Sequence, residues 1–407
     1  MNPPCYVTPH PSSIRGPEKI SFVVIGAGLI GPRHAAHVLD RPDCELFAIV
    51  DHSAKGPLVA QQLNTMLFQN LDDLFAHCDA NLLNYPAAAI VATPNHTHVR
   101  MGMQLAARGI HMLMEKPLAP SPSECKSLIA YCHAKNVTLL VGHHRRFNPY
   151  IIATKDHLYK LGQLVAIQGT WTLCKPPAYF LEKPWRSSTA LGGGTLLINL
   201  IHDLDLLQYL LGPIEKVYAE LLTKQRTDSG HHDLVDEGAA LTLRFENGCC
   251  GTFICSDNVT SPFLFEAGTG ENPTVPFNDS IAGFYRIFGS HGTLSVPDLK
   301  LYHQEHELHQ ESSLQLPSPS PSPNVKDSPI HRMNDFKKPQ PFALQLEHFV
   351  NLITGAETAV KCSGDDALRA LLCIEAVVKS IETGLPQYVD KIDQIDLDFD
   401  LMNQFDV

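Results

Sequence analysis

A glycine-rich turn between two short apolar runs constrains this chain more than any other feature. Residues 21–25 (S-F-V-V-I) are too few for a helix and rich in β-branched side chains, which is typical of a buried parallel strand. The motif G-A-G-L-I-G follows at residues 26–31, and Pro32 stands where the first turn of a helix would begin. A second apolar run, residues 46–50, ends at Asp51. The pattern predicts strand, turn, helix and strand in that order.

Each part of this pattern has a physical role in binding a dinucleotide. Gly26 permits a tight turn, Gly28 lets backbone N–H groups approach a pyrophosphate, and Gly31 lets the helix pack closely on the strand. The N-terminus of the helix supplies partial positive charge to the phosphates, and Asp51 can accept hydrogen bonds from ribose hydroxyls. Asp51 favours NAD over NADP, although the nearby Lys55 leaves NADP possible. We predict a cofactor site that includes Gly26, Gly28, Leu29, Ile30, Gly31, Asp51 and His52.

The length and overall charge restrict the class of protein. A chain of 407 residues is long enough for two domains, each with its own core. Hydrophobic residues make up 44% and charged residues 18%, as is typical of soluble globular proteins. A net charge of -12 argues against a nucleic-acid partner, because neutralising phosphates requires clustered Lys and Arg. No apolar run reaches the roughly 20 residues that span a membrane, so we expect no membrane contact.

The cysteines and histidines indicate neither disulfides nor a metal site. The eleven cysteines show no regular spacing and no C-x-x-C pair, which favours a reduced, cytoplasmic compartment. Residues 1–17 are rich in proline and lack the apolar core of a signal peptide. The pairs His143–His144 and His231–His232 are adjacent, not four residues apart, so they do not direct two imidazoles at one ion. We predict no metal.

The rhythm of apolar runs changes near Tyr150. Before it, short apolar runs alternate with helical segments, as in a parallel sheet covered by helices. After it, longer runs predict strands of an open, mostly antiparallel sheet, at residues 164–173, 214–222, 238–245 and 251–258. Helical periodicity follows at residues 342–353 and 365–383. We predict an α/β fold with a disordered Pro-rich N-terminus (1–18), a dinucleotide-binding domain (19–150), a substrate and oligomerisation α/β domain (151–390), a flexible Pro/Ser-rich loop within it (317–340), and a C-terminal tail (391–407).

Polar clusters follow the carboxyl ends of three further predicted strands, where ligands bind in open α/β sheets. They are residues 93–98 (T-P-N-H-T-H), residues 115–117 (E-K-P) and the pair Arg145–Arg146. The first two clusters are candidates for the nicotinamide end of the site, although His98 is equally well explained as a core or loop histidine. Guanidinium groups suit an anionic or polyhydroxylated substrate, and a solvated loop or a subunit contact explains the arginines equally well.

Three glycines at residues 192–194 open a second group of polar residues. Asn199, His202 and Asp205 are spaced three apart, which puts them near one face of a helix. A core histidine preceded by an ordinary loop explains the same pattern. Trp185–Arg186, shortly before the glycines, is a further candidate pair for substrate contact, with packing as the alternative.

In this order and spacing, the motifs resemble those of the glucose–fructose oxidoreductase / inositol dehydrogenase (Gfo/Idh/MocA) family. The resemblance covers roughly residues 21–386. It implies a Rossmann domain paired with an α/β domain whose open sheet faces the active site and forms oligomers, here a homodimer or homotetramer. It also implies oxidation or reduction of sugars, polyols and related carbon rings with NAD or NADP. Residues 145–149 and 199–203 look most like a subgroup assigned to quinate utilisation.

The resemblance also implies individual roles. Lys116 matches the family's catalytic lysine and His202 its active-site histidine. Many members have Asp four residues before that histidine, where this chain has Ile198, which can neither orient an imidazole nor relay its proton. We therefore expect Lys116 to carry the proton, with burial and nearby positive charge lowering its pKa, and Asn199 or Asp205 to orient His202. The alternative for Lys116 is a surface lysine paired with the neighbouring glutamate.

These observations predict an enzyme that transfers hydride between NAD(P) and a hydroxyl or carbonyl group of a cyclic polyol or sugar-like substrate, of the inositol, quinate/shikimate or aldose class. Two alternatives stay open: a non-catalytic NAD(P)-binding sensor or regulatory protein, which the loss of the family's Asp favours, and a lyase or hydrolase that uses NAD transiently. The predicted contacts at the nicotinamide end are Thr93, Pro94, Asn95, His98, Glu115 and Lys116. The predicted substrate contacts are Arg145, Arg146, Trp185, Arg186, Asn199, His202 and Asp205.

Overall fold

The computed structural model describes residues 19–189, 192–226, 235–272, 275–303, 320–321 and 340–405. Contacts divide the chain into two compact units, one ending at Ile90 and one beginning at Val91. The predicted disordered N-terminus (1–18), most of the predicted loop (317–340) and the pair His231–His232 lie outside the described residues. None of the described helices is both long and apolar enough to cross a bilayer.

The first unit alternates strands and helices. Its elements are β1 (Ile20–Ile25), α1 (Gly31–Leu39), β2 (Cys44–Val50), α2 (Gly56–Gln62), β3 (Met66–Phe68), α3 (Leu71–Ala80) and β4 (Ala88–Val91), whose last residue lies past the division. The first three strands pair in parallel, with Val24 opposite Ile49. Both residues are fully buried, as the unbroken apolar runs predicted. Pro32 lies in the first turn of α1, where a missing N–H costs no hydrogen bond.

The second unit contains further strands and helices of the alternating kind, followed by a separate sheet. It begins with α4 (His98–Ala106), β5 (His111–Met114), α5 (Pro122–Ala134), β6 (Leu139–Val141) and α6 (Pro149–His157). The parallel sheet has the strand order β3-β2-β1-β4-β5-β6. This is the order of the doubly wound dinucleotide-binding fold, so the predicted Rossmann architecture is confirmed.

A nine-stranded sheet forms the rest of the second unit. Its strands are β7 (Leu164–Thr172), β8 (Ile214–Leu221), β9 (Gly238–Phe245), β10 (Cys250–Ser256), β11 (Tyr285–Gly289), β12 (Gly292–Val296), β13 (Leu301–His303), β14 (Ser320–Pro321) and β15 (Gln387–Tyr388). The strand order is β14-β13-β12-β11-β7-β10-β9-β8-β15. Strands β7 and β10 pair in parallel and the other described neighbours pair antiparallel, which confirms the predicted mostly antiparallel sheet. Ser320–Pro321 pairs with β13, so these two residues of the predicted loop belong to the sheet.

The remaining helical elements of the second unit are α7 (Pro177–Leu181), a π-helical turn (Leu196–Leu200), α8 (Ile201–Leu211), α9 (Phe265–Thr269), α10 (Pro341–Ile353), α11 (Gly364–Thr383) and α12 (Phe399–Asn403). Of these, α8 and α11 cover one face of the nine-stranded sheet, and α12 packs on α5. Short 3₁₀ segments occur at Asn95–Thr97, His144–Phe147, Leu158–Leu161, Pro184–Ser187 and Ile392–Gln394. Along β9, the buried Leu241 and Leu243 alternate with the exposed Thr242 and Arg244. The core therefore lies between the sheet and α8 and α11, and no helix among the described residues covers the opposite face.

Later segments of the second unit bond to β6 and to α5. Residue 150, where the sequence predicts a domain boundary, lies inside the second unit. The N–H of Val141 donates to the carbonyl of Cys362 (3.0 Å), and its carbonyl accepts from Nε2 of Gln345 (3.2 Å). Within the predicted C-terminal tail (391–407), the backbone of residues 398–405 bonds to Tyr131 and Ser127 of α5.

Candidate active site

The glycine turn has the geometry that a pyrophosphate site requires. Gly26 has a φ of 103°, a conformation that side chains other than glycine rarely adopt. A Cβ added to Gly31 would lie 1.8 Å from the carbonyl oxygen of Gly26, so only glycine permits this close packing of helix on strand. A Cβ added to Gly28 would meet nothing within 4 Å, which leaves open space for a ligand over the backbone.

Asp51 is held in position as a hydrogen-bond acceptor. Its Oδ2 accepts from the N–H of Ala27 (2.6 Å), and its Oδ1 accepts from the N–H of Ser53 (2.7 Å). Burial raises the pKa of Asp51, but the hydrogen bonds from Ser53 and Ala27 outweigh it and hold the pKa below its usual value. Each oxygen of the ionised carboxylate keeps a further lone pair, so this residue fits the ribose diol of a dinucleotide.

The T-P-N segment lies beside the glycine triplet in the second unit. The hydroxyls of Thr93 and Thr97 are hydrogen-bonded (2.7 Å), which fixes the turn. A Cβ added to Gly192 would lie 2.9 Å from Nδ2 of Asn95, so the absence of a side chain at Gly192 lets this amide approach. The structure thus brings together two motifs that are about a hundred positions apart in the sequence.

The contacts of His98 match the core-histidine alternative rather than a cofactor contact. Its ring is buried, with Nε2 at 2.8 Å from the carbonyl of Thr93 and Nδ1 at 2.9 Å from the carbonyl of Pro117. Because both ring nitrogens face backbone carbonyls, neither is available to a ligand. The ring ties the start of α4 to the turn after β5.

Lys116 follows β5 directly and reaches into the second unit. Its Nζ donates to the carbonyl of Ile198 at 3.1 Å. Burial lowers the pKa of Lys116, the charge of Glu115 partly opposes this, and the charges of Arg145 and Lys175 reinforce it, which brings the pKa to about 8. The lowered pKa agrees with the expected effect of burial and positive charge. Lys116 is therefore not a surface lysine paired with the neighbouring glutamate.

The π-helical turn that follows the glycines is anchored by a distant carboxylate. Oδ1 of Asp236 accepts from the N–H of Leu196 (2.9 Å), and a Cβ at Gly194 would lie 2.2 Å from Oδ2 of Asp236. Gly194 also has a φ of 101°. Burial and the charge of Asp257 raise the pKa of Asp236 to about 6, against backbone hydrogen bonds that lower it. π-Helical turns are frequent at functional sites.

His202 is buried at the start of α8 and is neutral. Burial, then the charges of Lys116 and Arg145, lowers its pKa well below the usual value. Its Nδ1 has no hydrogen-bond partner among the described residues. Its ring lies edge-on to His144, with ring centroids 5.6 Å apart. The expectation that Asn199 or Asp205 orients this ring is not met by the described hydrogen bonds, in which both side chains bind other partners.

Arg145, Arg146 and Asp205, which are predicted substrate contacts, are paired with charged groups inside the protein. Arg146 makes a bidentate pair with Asp205 (2.9 and 2.6 Å), and Arg145 donates to Glu266 (2.6 Å) and contacts Asp203 (3.4 Å). Both arginines are buried, so neither forms a solvated loop. These charges neutralise one another, and removing one from its partner to bind a ligand would leave a buried charge unpaired.

Trp185 and Arg186 lie on a 3₁₀ segment just before the glycines. The guanidinium of Arg186 stacks 3.8 Å from the ring centroid of Tyr179, and its Nη1 donates to the carbonyl of Tyr179 (2.7 Å). The contacts of Arg186 therefore match the alternative of a packing role rather than a substrate contact. Trp185 is 40% exposed and available to a ligand.

Several charged residues near these groups are not among the predicted site residues: Lys175, Asp203, Asp236, Glu266 and Asp257. Nζ of Lys175 donates to Oδ1 of Asn199 (2.6 Å) and pairs with Asp257 (3.2 Å). Burial raises the pKa of Asp203 to about 7, although Arg145 opposes this. No local pattern marks these residues, apart from the position of Lys175 just after a predicted strand and before two prolines.

Comparisons with known proteins agree with this architecture. A family model described as the NAD-binding Rossmann fold of an oxidoreductase family matches residues 20–143, and the C-terminal alpha/beta domain of the same family (GFO_IDH_MocA) matches residues 158–389.

Relatives and solved structures resemble most of the chain. The oxidoreductase YrbE of Bacillus subtilis (strain 168) is 24% identical over 388 residues, covering 93% of this chain and 99% of that protein. Inositol 2-dehydrogenase of Rhizobium meliloti (strain 1021) is 24% identical over 371 residues, which cover 89% of this chain and 97% of that protein. The WlbA dehydrogenase from Bordetella pertussis, solved with NADH and UDP-GlcNAcA, has the same fold, with a TM-score of 0.70 and 20% sequence identity. The match covers 92% of this chain and 99% of that protein. The chain therefore belongs to the Gfo/Idh/MocA oxidoreductase family and is an NAD-dependent oxidoreductase.

Proposed function

We propose that this enzyme transfers hydride between NAD and a CH–OH group of a cyclic polyol or sugar-like molecule, with Lys116 as the acid/base. The observation that carries the proposal is the environment of Lys116, whose pKa of about 8 allows both protonation states near neutral pH. Oxidation requires that the carbinol hydroxyl lose a proton as the hydride leaves, and a neutral lysine accepts it. Bound NAD supplies the hydride acceptor, while the protein supplies position and the proton site.

For the cofactor, the proposal assigns the phosphates and ribose to the first unit. The open backbone at Gly28 and the ionised carboxylate of Asp51 support this assignment. A carboxylate at that position repels a 2′-phosphate, which supports a preference for NAD over NADP. The proposed contacts are Gly26, Gly28, Leu29, Ile30, Gly31, Asp51 and His52, with Thr93, Pro94, Asn95, Glu115 and Lys116 at the nicotinamide end.

For the substrate, the proposal assigns contacts to His202, Asn199 and Trp185. A neutral imidazole whose Nδ1 lacks a partner can donate to or accept from a hydroxyl group, which supports a polyhydroxylated substrate. The relative that is an inositol 2-dehydrogenase and the neighbour that binds UDP-GlcNAcA support the same class. Quinate remains a candidate through the resemblance of two sequence segments.

For the assembly, we propose a homodimer or homotetramer formed through the open face of the nine-stranded sheet. A cavity of about 490 Å³ lies on this face, and apolar side chains such as Ile254 (48% exposed) and Phe263 (44%) line it. Exposed apolar patches of this kind are typical of protein contacts. We also propose domains over residues 19–150 and 151–390, which the family matches support, and a cytoplasmic location, which the cysteine pattern supports.

A panel of substrates tests the proposed activity. Purified protein is mixed with NAD or NADP and with myo-inositol, quinate, shikimate or aldoses, and the absorbance of reduced nicotinamide is followed. We expect stoichiometric reduction of NAD with at least one member of the panel, and its loss in Lys116→Met. Conversion of a substrate without net reduction of NAD would favour the lyase or hydrolase, and cofactor binding without any turnover would favour the sensor.

A further inference from the structure

Lys175 is a buried cation beside the proposed substrate contacts. It lies between β7 and α7, and its side chain is 8% exposed. Its ammonium group is 4.7 Å from the ring centroid of Tyr179 and 5.8 Å from that of Trp171. Its polar contacts are Oδ1 of Asn199 at 2.6 Å and Oδ2 of Asp257 at 3.2 Å. A buried lysine needs such partners, because desolvation of an unpaired ammonium is costly.

The contact between these two side chains determines which way the amide of Asn199 faces. An ammonium group has only donors, so the amide oxygen of Asn199 must face Lys175. The amide nitrogen then faces away from Lys175, and it has no hydrogen-bond partner among the described residues. Two N–H donors are thus left for a ligand oxygen at a residue that precedes His202 by three positions.

Asn199 also belongs to the turn that holds Lys116. The carbonyl that accepts from Lys116 is that of Ile198, the residue before Asn199 in the π-helical turn. The two lysines therefore bind consecutive residues of one turn, Lys116 through the backbone and Lys175 through the side chain. Displacing the side chain of Asn199 would disturb the anchor of Lys116 as well.

We propose that Lys175 is a positioning residue that holds the π-helical turn through Asn199, so that the amide nitrogen of Asn199 donates to a hydroxyl or carbonyl oxygen of the substrate. This inference rests on the proposed hydride transfer and adds to it a donor specific for substrate oxygen.

A purely structural role for Lys175, that of neutralising Asp257, is already filled by another residue. Nη1 of Arg226 lies 2.7 Å from Oδ1 of Asp257, closer than Lys175 lies to the same carboxylate. The two cations thus share one carboxylate. Lys175 donates to a side chain of the turn, whereas the other polar contacts of Arg226 among the described residues are Glu237 and the carbonyl of Asp236, so Arg226→Met is the control for losing a cation from Asp257.

The first experiment measures steady-state kinetics of Lys175→Met, Lys175→Arg, Asn199→Ala and Arg226→Met with the panel substrate that reduces NAD fastest. Loss of one hydrogen bond to the substrate is expected to raise KM about tenfold in Lys175→Met and in Asn199→Ala. The double variant Lys175→Met/Asn199→Ala should be no worse than either single one, because the two side chains act as a unit. Additive losses in the double variant would overturn the proposal.

The second experiment does not depend on turnover. Lys116 in the NAD-loaded protein is labelled with acetic anhydride over a range of pH, and the extent of acetylation is followed by mass spectrometry. Lys175→Met removes the charge of Lys175 and its hold on the turn, so the midpoint of the pH dependence of Lys116 acetylation should move to higher pH. Lys175→Arg should restore the midpoint of the wild type, and Arg226→Met should leave it unchanged.

An unchanged midpoint in Lys175→Met, or equal shifts in Lys175→Met and Arg226→Met, would overturn the positioning role. Absence of turnover in the wild type, with the midpoint shift present, would instead count against the proposed hydride transfer alone.

Discussion

At the scale of single residues, the chemistry of Lys116 follows from the acceptor that holds it. A carboxylate partner would stabilise the ammonium form and raise the pKa. The carbonyl of Ile198 carries only a partial charge, so burial, reinforced by the charges of Arg145 and Lys175, prevails over the charge of Glu115 and brings the pKa to about 8. Lys116 therefore loses its proton within the range of pH in which enzymes work.

Replacing Lys116 with Met should abolish most of the turnover without weakening cofactor binding. Removing a positioned acid/base group typically costs about 10²–10⁴ in rate, while the phosphates and ribose bind elsewhere. Steady-state kinetics gives kcat, and a fluorescence titration gives the Kd for NAD. His202→Ala serves as the contrast, with a raised KM and a smaller loss of kcat, because its neutral ring binds and does not carry the proton. If His202→Ala were inactive while Lys116→Met still turned over, the roles of proton carrier and substrate contact would be exchanged between the two residues.

The rate of the wild-type enzyme should depend on pH in opposite senses for the two directions. Oxidation needs neutral Lys116, so kcat for oxidation should rise as the pH increases through about 8. Reduction needs the protonated form, so its kcat should fall over the same range. Initial rates in both directions from pH 6 to 10 test this, and parallel profiles would be inconsistent with Lys116 as the proton carrier.

Replacing Asp51 with Ala should narrow the preference for NAD over NADP. The ionised carboxylate is fixed by Ala27 and Ser53, so it both accepts from the ribose and repels a 2′-phosphate. Titrating each cofactor into both proteins gives the ratio of Kd values. Tighter binding of NADP than of NAD by the wild type would refute the assignment.

At the scale of elements, the start of the helical segment before His202 depends on Asp236. Its carboxylate accepts from the N–H of Leu196, as an N-cap side chain would, but it comes from a distant part of the chain. Asp236→Ala should therefore lower the free energy of unfolding by about 1 kcal/mol, the usual cost of losing a cap. Thermal or urea unfolding measures it, and an unchanged stability would show that the bond contributes nothing.

Asp236→Asn separates the hydrogen bond from the charge. The folded-state pKa of Asp236, about 6, lies above the usual value for Asp, so the wild type loses stability as the pH rises through about 6. An asparagine keeps an acceptor and does not titrate. The free energy of unfolding of Asp236→Asn relative to that of the wild type should therefore increase between pH 4 and pH 8. A decrease over that range would contradict the raised pKa of Asp236.

The sequence predicts those features that depend on residues close to one another in the chain. The glycines at 26 and 31, the strand before them and the acid after β2 all act through neighbours in the motif, and the structure matches them. The burial of Arg145 could not be predicted in this way, because its partner Glu266 lies far along the chain. The π-helical turn has the same apolar spacing as an α-helix, so periodicity does not reveal it.

At the scale of the whole molecule, the open sheet face should hold copies of the chain together. Static light scattering at micromolar concentration is expected to give a dimer or tetramer. Ile254→Arg, in the cavity on this face, should shift the mass towards the monomer without lowering the melting temperature, because the side chain is half exposed. Leu58→Arg, an exposed leucine on α2, is the matched control. A wild-type monomer would refute the assembly.

The contact between α5 and the end of the chain affects how the protein is made. The phenol of Tyr131 donates to the carbonyl of Phe405 (2.7 Å), and Ser127 accepts from the N–H of Asp398 (2.7 Å). Synthesis proceeds from the N-terminus, so α5 leaves the ribosome long before the segment that covers it. The nascent chain therefore displays this helix uncovered until residues 398–405 have been synthesised. A truncation before residue 398 would act on a helix about 270 residues earlier in the chain.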